Sequence, residues 1–199
     1  MDEINLVYID DDLEEDISRY LVKEYRKSGF EINYEEISFK SGEGYETLLS
    51  NNIITESNII LIDSKLFEND HASTGKFSGE EFKMILKKVF PFIEVIVITQ
   101  NDLEEDYGTL AKYRGDLEET PLQYYENRLK DELDKAIHSV CIYRNIANKL
   151  KLNDGIDKVL IEKIISSLDG KSLYDELTTD DIDEIILAFE ELQRDKDEE

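Results

Sequence analysis

Three aspartates, Asp10, Asp11 and Asp63, stand at the carboxyl ends of two short apolar runs, Ile4 to Ile9 and Ile59 to Ile62. Uninterrupted runs of this kind form strands buried on both faces of a parallel sheet. In an open α/β sheet the ligand crevice lies beyond the carboxyl ends of the strands, so acids closing two strands can converge on one cation. Carboxylate oxygens are the donors a hard divalent cation prefers, and Mg²⁺ held this way keeps positions open for phosphate oxygens. The plainer reading of Asp10-Asp11-Asp12 is a solvated helix start, with negative charge facing the positive end of the helix dipole.

The elements that must position these acids can be read along the chain. After the first strand, Leu13, Ile17, Tyr20, Leu21 and Tyr25 fall at helical spacing, which predicts a helix over Leu13 to Lys27 that Ser28-Gly29 ends. Glu31 to Phe39 alternates as a second strand with one slip of phase, as a bulge or partial burial would produce. Gly42 to Leu49 reads as a short helix, and Phe67 to Ser78 as a polar loop insertion. Gly79 to Val89 is helical, with Phe82, Ile85, Leu86 and Val89 on one face, and Pro91 separates it from the strand Val95 to Thr99. Thr109 to Tyr113 reads as a short fifth strand carrying Lys112. Strand and helix alternate, so the expected fold is α/β, a doubly wound parallel sheet of five strands covered on both faces.

From Pro121, a residue suited to the first helical position, apolar or small residues recur at Leu129, Leu133, Ala136, Val140, Tyr143, Ala147 and Leu150. This spacing predicts one helix of roughly eight turns, longer than a compact α/β domain can cover. Two further helices are expected, about Gly155 to Leu168 and Thr179 to Arg194, before a frayed acidic tail at Asp195 to Glu199. The expected organisation is an α/β domain over 1–137, its final helix running on to about 152, then a helical extension over 138–194. The second half of the long helix could pack against Val159 to Ile165 and Ile182 to Phe189, or against a second copy of the chain.

Composition narrows the class of partner. The 199 residues carry a formal net charge of -25, with 40% hydrophobic and 36% charged residues. Such a surface repels phosphate backbones and anionic membranes, and no Lys/Arg cluster offers a local exception, so neither nucleic acid nor membrane is an expected partner. From position 153 onward there are 16 acidic residues against 5 basic ones. A basic recognition helix in that region is therefore not expected. One cysteine, Cys141, excludes an internal disulfide and a cysteine-based zinc cage. No apolar run reaches the length of a membrane span and no secretory h-region stands out, so a soluble, cytoplasmic protein is expected.

Taken together, these residues resemble the receiver domain of bacterial response regulators, over about Met1 to Ile137. The resemblance implies a flavodoxin-like fold and a phosphorelay role. By position, Asp10 and Asp11 match the family's acidic pair and Asp63 its phospho-acceptor. Together they would hold Mg²⁺, with the backbone carbonyl of Lys65 as a further ligand. Thr99 matches the hydroxyl that closes strand four and Lys112 the lysine that closes strand five; both would bind phosphoryl oxygens. Gly79-Glu80-Glu81-Phe82 resembles the opening of the family's third helix. The implied partners are a histidine kinase or other phosphodonor, and a downstream protein reached through the C-terminal helices.

The chain also departs from that pattern. Phe67 and Tyr113 stand where the family usually has proline, and Gln100 where it has a small residue that leaves room for the phosphoryl group. The loop before Gly79 is long, and Thr99 to Lys112 is short for a strand, helix and strand, so the fourth helix of the family is expected to be missing. Lys65 could reach over the site. These departures support a second reading, a phosphorylation-independent interaction module on the same fold. A metal-dependent phosphatase or other hydrolase built on Asp10, Asp11 and Asp63 is a third, poorly served by Asp10-Asp11-Asp12-Leu13. For Lys112 the ordinary alternative is an exposed lysine on an irregular segment. His71 and His138 have no metal-spaced partner, and Cys141 reads as a small buried hydrophobe.

Overall fold

A computed structural model describes residues 2–40, 44–67, 78–100, 109–115 and 117–152, together with 162, 164 and 165. Five strands, β1 (Asp2–Asp10), β2 (Phe30–Ser38), β3 (Ile59–Asp63), β4 (Glu94–Thr99) and β5 (Thr109–Ala111), form one sheet in the order β2-β1-β3-β4-β5. Every pairing is parallel. This is the expected doubly wound, flavodoxin-like α/β fold, with the order of strands reversing between β1 and β3.

Two apolar layers cover the sheet, as the alternation of side chains along each strand requires. On one face, Val7, Ile9, Ile60, Ile62, Val95 and Val97 pack with helices α2 (Tyr45–Leu49), α3 (Asn52–Thr55) and α4 (Gly79–Val89). On the other, Leu6, Tyr8, Leu61, Ile96 and Ile98 pack with α1 (Glu15–Arg19), the π-helical turn Tyr20–Glu24 that continues it, and α5 (Pro121–Lys151). Helix α4 starts with a reciprocal cap between Ser78 and Glu81, and α5 with one between Thr120 and Gln123. Each cap satisfies amide groups that the first turn leaves without partners.

Three elements differ from the sequence expectation. The first helix does not run to Lys27: it widens at Tyr20 and the backbone is extended by Tyr25. The π turn carries Tyr20, Leu21 and Tyr25 into one buried layer against α5, where the hydroxyls of Tyr20 and Tyr25 donate to Glu126 (3.0 Å) and Asp134 (2.8 Å). The second strand has no bulge and pairs with β1 in unbroken register over nine residues. Its slip of phase comes from the partial burial that the sequence offered as the alternative: Ile32 and Tyr34 are partly buried on the α5 face and Ile37 on the opposite face. A second short helix, α3, follows α2 and was not visible as a period because four residues make only one turn.

The long helix predicted from Pro121 is present and unbroken to Lys151, about 46 Å at 1.5 Å per residue. Its first half supplies the buried side chains Tyr124, Tyr125, Leu129, Leu133, Ala136 and Ile137, whereas Ile142 and Ile146 further on are exposed. Cys141 is partly buried against the α5-side core and His138 is exposed. The loop insertion at 68–77 with His71, the stretch 101–108 bearing on a fourth helix, and the acidic tail lie outside the described residues, as do the helices expected after 153 except for Glu162, Ile164 and Ile165, which are helical. No helix among the described residues is long and apolar enough to cross a membrane.

Candidate metal site

The sheet register assembles the site. Ile9 pairs with Ile62, so the next residues on β1 and β3, Asp10 and Asp63, stand side by side at the carboxyl edge. Thr99 ends β4 and pairs with Ala111. Lys112 follows directly and donates its amide N–H to the carbonyl of Thr99 at 2.7 Å. The crevice at these strand ends is where an open α/β sheet binds ligands.

Asp10, Asp63, Thr99 and Lys112 are 1%, 5%, 5% and 4% exposed, and Asp11 is open to solvent. Lys112 is therefore not the exposed lysine of the ordinary alternative. Its Nζ lies 2.8 Å from Oδ2 of Asp10 and 2.8 Å from Oδ1 of Asp63, with Oε1 of Glu14 at 3.6 Å. The remaining capacity of the two acids is also used. The hydroxyl of Tyr8 donates to Oδ2 of Asp10 at 2.6 Å, and the amide of Asp12 to Oδ1 at 3.1 Å. The amide of Lys65 donates to Oδ2 of Asp63 at 2.7 Å. Buried carboxylates require such partners, since desolvation without them costs several kcal/mol or a lost charge.

The electrostatics follow from two acids sharing one base. Burial pushes the Asp63 carboxyl above the usual carboxylate range, and the charge of Asp10 adds to this, while Lys112 and the Lys65 amide pull the other way. Burial alone would favour a neutral Lys112. Its hydrogen bonds to Asp10 and Asp63 and their charges outweigh that and raise it above the ordinary lysine value. The two directions agree: the ammonium is held by an excess of negative charge, and the Asp10 part of that charge adds to the burial that disfavours ionisation of Asp63.

Asp10, Asp11 and Asp63 each offer a carboxylate oxygen, and these oxygens lie within 4.8 Å of one another. An all-oxygen set of this spread fits a hard divalent cation. The cluster could hold a metal ion, with Lys112 supplying a positive charge to the same acids.

Local packing explains several residues that the sequence marked as unusual. Helix α4 begins against the end of β3, where the Gly79 N–H donates to the Ser64 carbonyl at 2.7 Å. A Cβ at position 79 would come within 2.5 Å of the Asp63 carbonyl oxygen and 2.9 Å of the Ser64 Cα, so only glycine fits. The Ser64 hydroxyl donates to the Glu80 carboxylate at 2.8 Å, tying the same two elements through side chains. Phe67 is core: it sits edge-on between Phe39 and Phe82, with ring centroids 5.2 and 5.1 Å away. Tyr113 supplies an amide N–H, which a proline would lack, to the hydroxyl of Tyr125 at 3.1 Å. Gln100 is exposed, and its carbonyl accepts from Arg114 at 2.8 Å.

Sequence reasoning missed Tyr8, Glu14 and Tyr125. Tyr8 was visible only as one more apolar position in the first strand. Its β1 side chain lies two residues before Asp10 on the same face, a spacing that strand periodicity could have flagged. Compared with known proteins, the chain matches no family model and no curated protein.

Proposed function

We propose that this chain is a cytoplasmic signalling protein of the two-component type, in which Asp63 accepts a phosphoryl group and the C-terminal helical region passes the state to a protein partner. The observation that carries this reading is the convergence, at the carboxyl ends of β1, β3 and β5, of the Asp10, Asp11 and Asp63 carboxylates with Lys112 Nζ, 2.8 Å from Asp63. In this reading Asp10, Asp11, Asp63 and the Lys65 carbonyl hold Mg²⁺, which would neutralise charge on the transferring group. Asp63 attacks phosphorus in line. The bond from phosphorus to the donor, a phosphohistidine nitrogen, breaks, and its electron pair stays on the imidazole, which then takes up a proton. Lys112 follows the charge from the carboxylate to a phosphoryl oxygen, and the Thr99 hydroxyl donates to another.

The test is thermal unfolding with Mg²⁺ and beryllofluoride, a phosphoryl mimic, against EDTA. A ligand at about 100 times its Kd adds about 2.7 kcal/mol, which at this chain length raises the midpoint by about 5 to 10 °C. The shift should vanish in Asp63→Ala. A native protein that keeps its fold but shows no shift would sink the phospho-acceptor reading.

One observation favours a second reading, an interaction module that works without phosphorylation. Every oxygen of Asp10 and Asp63 already accepts from Lys112, Tyr8, Asp12 or Lys65, so the site is internally satisfied. In that case the acidic surface, rather than a modified Asp63, addresses the partner.

A further inference from the structure

Lys112 has a third carboxylate within reach. Glu14, on the loop between β1 and α1, places Oε1 3.6 Å from Lys112 Nζ, and its Oε2 accepts from the Tyr125 hydroxyl at 3.2 Å. That hydroxyl in turn accepts the amide N–H of Tyr113, the residue after Lys112. The amide of Glu14 donates to the Tyr8 hydroxyl at 3.3 Å, and Tyr8 donates to Asp10. The ammonium thus sits between the two acids of the site and a carboxylate that helix α5 holds from its other side.

We propose that Glu14 and Tyr125 are positioning residues for Lys112: before any phosphoryl group arrives, Glu14 is the place the ammonium moves to when a cation occupies Asp10 and Asp63 or when Asp63 is replaced by a neutral residue, and Tyr125 senses that move. Lys112 is almost wholly buried directly after a short strand, so it cannot escape to solvent when its partners are taken. Within the site a cation and an ammonium compete for the same carboxylate oxygens, and repulsion between them is strong where water is excluded. Among the described residues, Glu14 is the carboxylate outside the set Asp10, Asp11 and Asp63 that comes within 4.0 Å of Lys112 Nζ, at 3.6 Å. Lys112 and Tyr125 address different oxygens of Glu14, so the ammonium can take this carboxylate only by closing the 3.6 Å gap, which draws Glu14 toward Nζ and lengthens its bond from Tyr125. The Tyr125 ring is fully buried against Tyr20 and Tyr124, with centroids at 6.1 and 5.4 Å, so a change at its hydroxyl is felt in the first turns of α5.

The test has two arms, and the first needs no ligand. In protein carrying ¹³C-labelled tyrosine, the Tyr125 ring signal is assigned by its loss in Tyr125→Phe and then followed in Asp63→Asn. The expected result is a Tyr125 signal displaced by Asp63→Asn in the native background and displaced little when Asp63→Asn is added to Glu14→Gln, each shift being read against its own parent protein, with circular dichroism unchanged. A Tyr125 signal that ignores Asp63→Asn, or moves equally with Glu14→Gln present, overturns the inference whatever the site binds.

The second arm is Mg²⁺ titration by calorimetry, and it rests on the cation site of the proposed function. Because coupling is reciprocal, Tyr125→Phe should free Glu14 to take Lys112 and tighten Mg²⁺ about 3- to 10-fold, the span of one hydrogen bond. Glu14→Gln removes the alternative partner and should weaken Mg²⁺ by a similar factor. Changes of the same sign in both variants, as mere loosening of the fold would give, overturn the inference. Failure of the native protein to bind Mg²⁺ overturns the cation site instead, and the first arm still decides the role of Glu14 and Tyr125.

Discussion

The ammonium of Lys112 lies 2.8 Å from Oδ1 of Asp63, and both groups are shielded from water. They meet because β3, β4 and β5 pair in parallel with Asp63 beside Ile98 and Thr99 beside Ala111, which brings the ends of β3 and β5 level across β4. An ion pair in such a place is not mainly a source of stability. Desolvation offsets most of its attraction, and what it fixes is the placement of charge at the crevice.

Removing one partner should be costly. Lys112→Met leaves Asp10 and Asp63 buried together without their counter-charge, and breaking a buried pair this way costs about 3 to 5 kcal/mol. The expected outcome is a midpoint lower by roughly 6 to 20 °C in EDTA, partly restored by Mg²⁺ if the acids bind it. Calorimetric melts of the two proteins with and without Mg²⁺ check this. A variant as stable as the native chain in EDTA would mean that the acids do not depend on the lysine.

Position 79 admits no side chain. The methyl group of Gly79→Ala would press on the main chain of Asp63 and Ser64 rather than on a flexible side chain, so the strand end must shift. Overpacking of this kind costs about 1 to 3 kcal/mol. The melt should fall accordingly, and the response to Mg²⁺ and beryllofluoride should weaken, because the displaced atoms carry the Asp63 carboxylate. Full stability with an unaltered response would contradict the close approach.

Phe67 tests the packing that replaces a proline. Its ring bridges Phe39 and Phe82 in the core, and Phe67→Ala should cost about 3 to 5 kcal/mol by leaving a cavity. Phe67→Leu, which keeps most of the volume, should cost less than half of that by denaturant titration. Equal losses would point to something other than the cavity.

High pH should unfold the protein through its tyrosines. Burial, and then hydrogen bonds to acidic partners, raise the hydroxyls of Tyr8, Tyr20, Tyr25 and Tyr34 above the ordinary value of 10.0. Burial and the bond to Glu94 push Tyr143 up to about 12. Lys112 is raised as well. For each, the folded state holds its proton more tightly than the unfolded state does. Their contribution is therefore complete below about pH 10 and is lost as pH climbs through the folded values. Stability should fall steeply from about pH 10 upward, with tyrosinate absorbance appearing together with the loss of circular dichroism. Gradual ionisation of Tyr8, Tyr20 or Tyr25, which are almost wholly buried, in a chain that stays folded would contradict their burial.

How much of this was legible in the sequence depended on whether the signal was local. The strands β1, β3 and β4, helix α4 and the full span of α5 show in the sequence because hydrophobic period, caps and turn residues are local properties. So do Asp10, Asp11 and Asp63, since an acid that closes an apolar run marks a strand end. The π turn after α1, the one-turn helix α3 and the unbroken register of β2 do not show, because each is chosen by packing against distant elements. The burial of Lys112 was likewise undecidable along the chain, where a lysine after a three-residue strand looks like any surface lysine. Tertiary structure decided it: the parallel register set two carboxylates at hydrogen-bonding distance from its nitrogen, and only such partners make a buried ammonium tolerable. The same holds for Tyr8, Glu14 and Tyr125, polar groups whose role comes from neighbours that are far away in sequence and that only the closed sheet and α5 bring into contact.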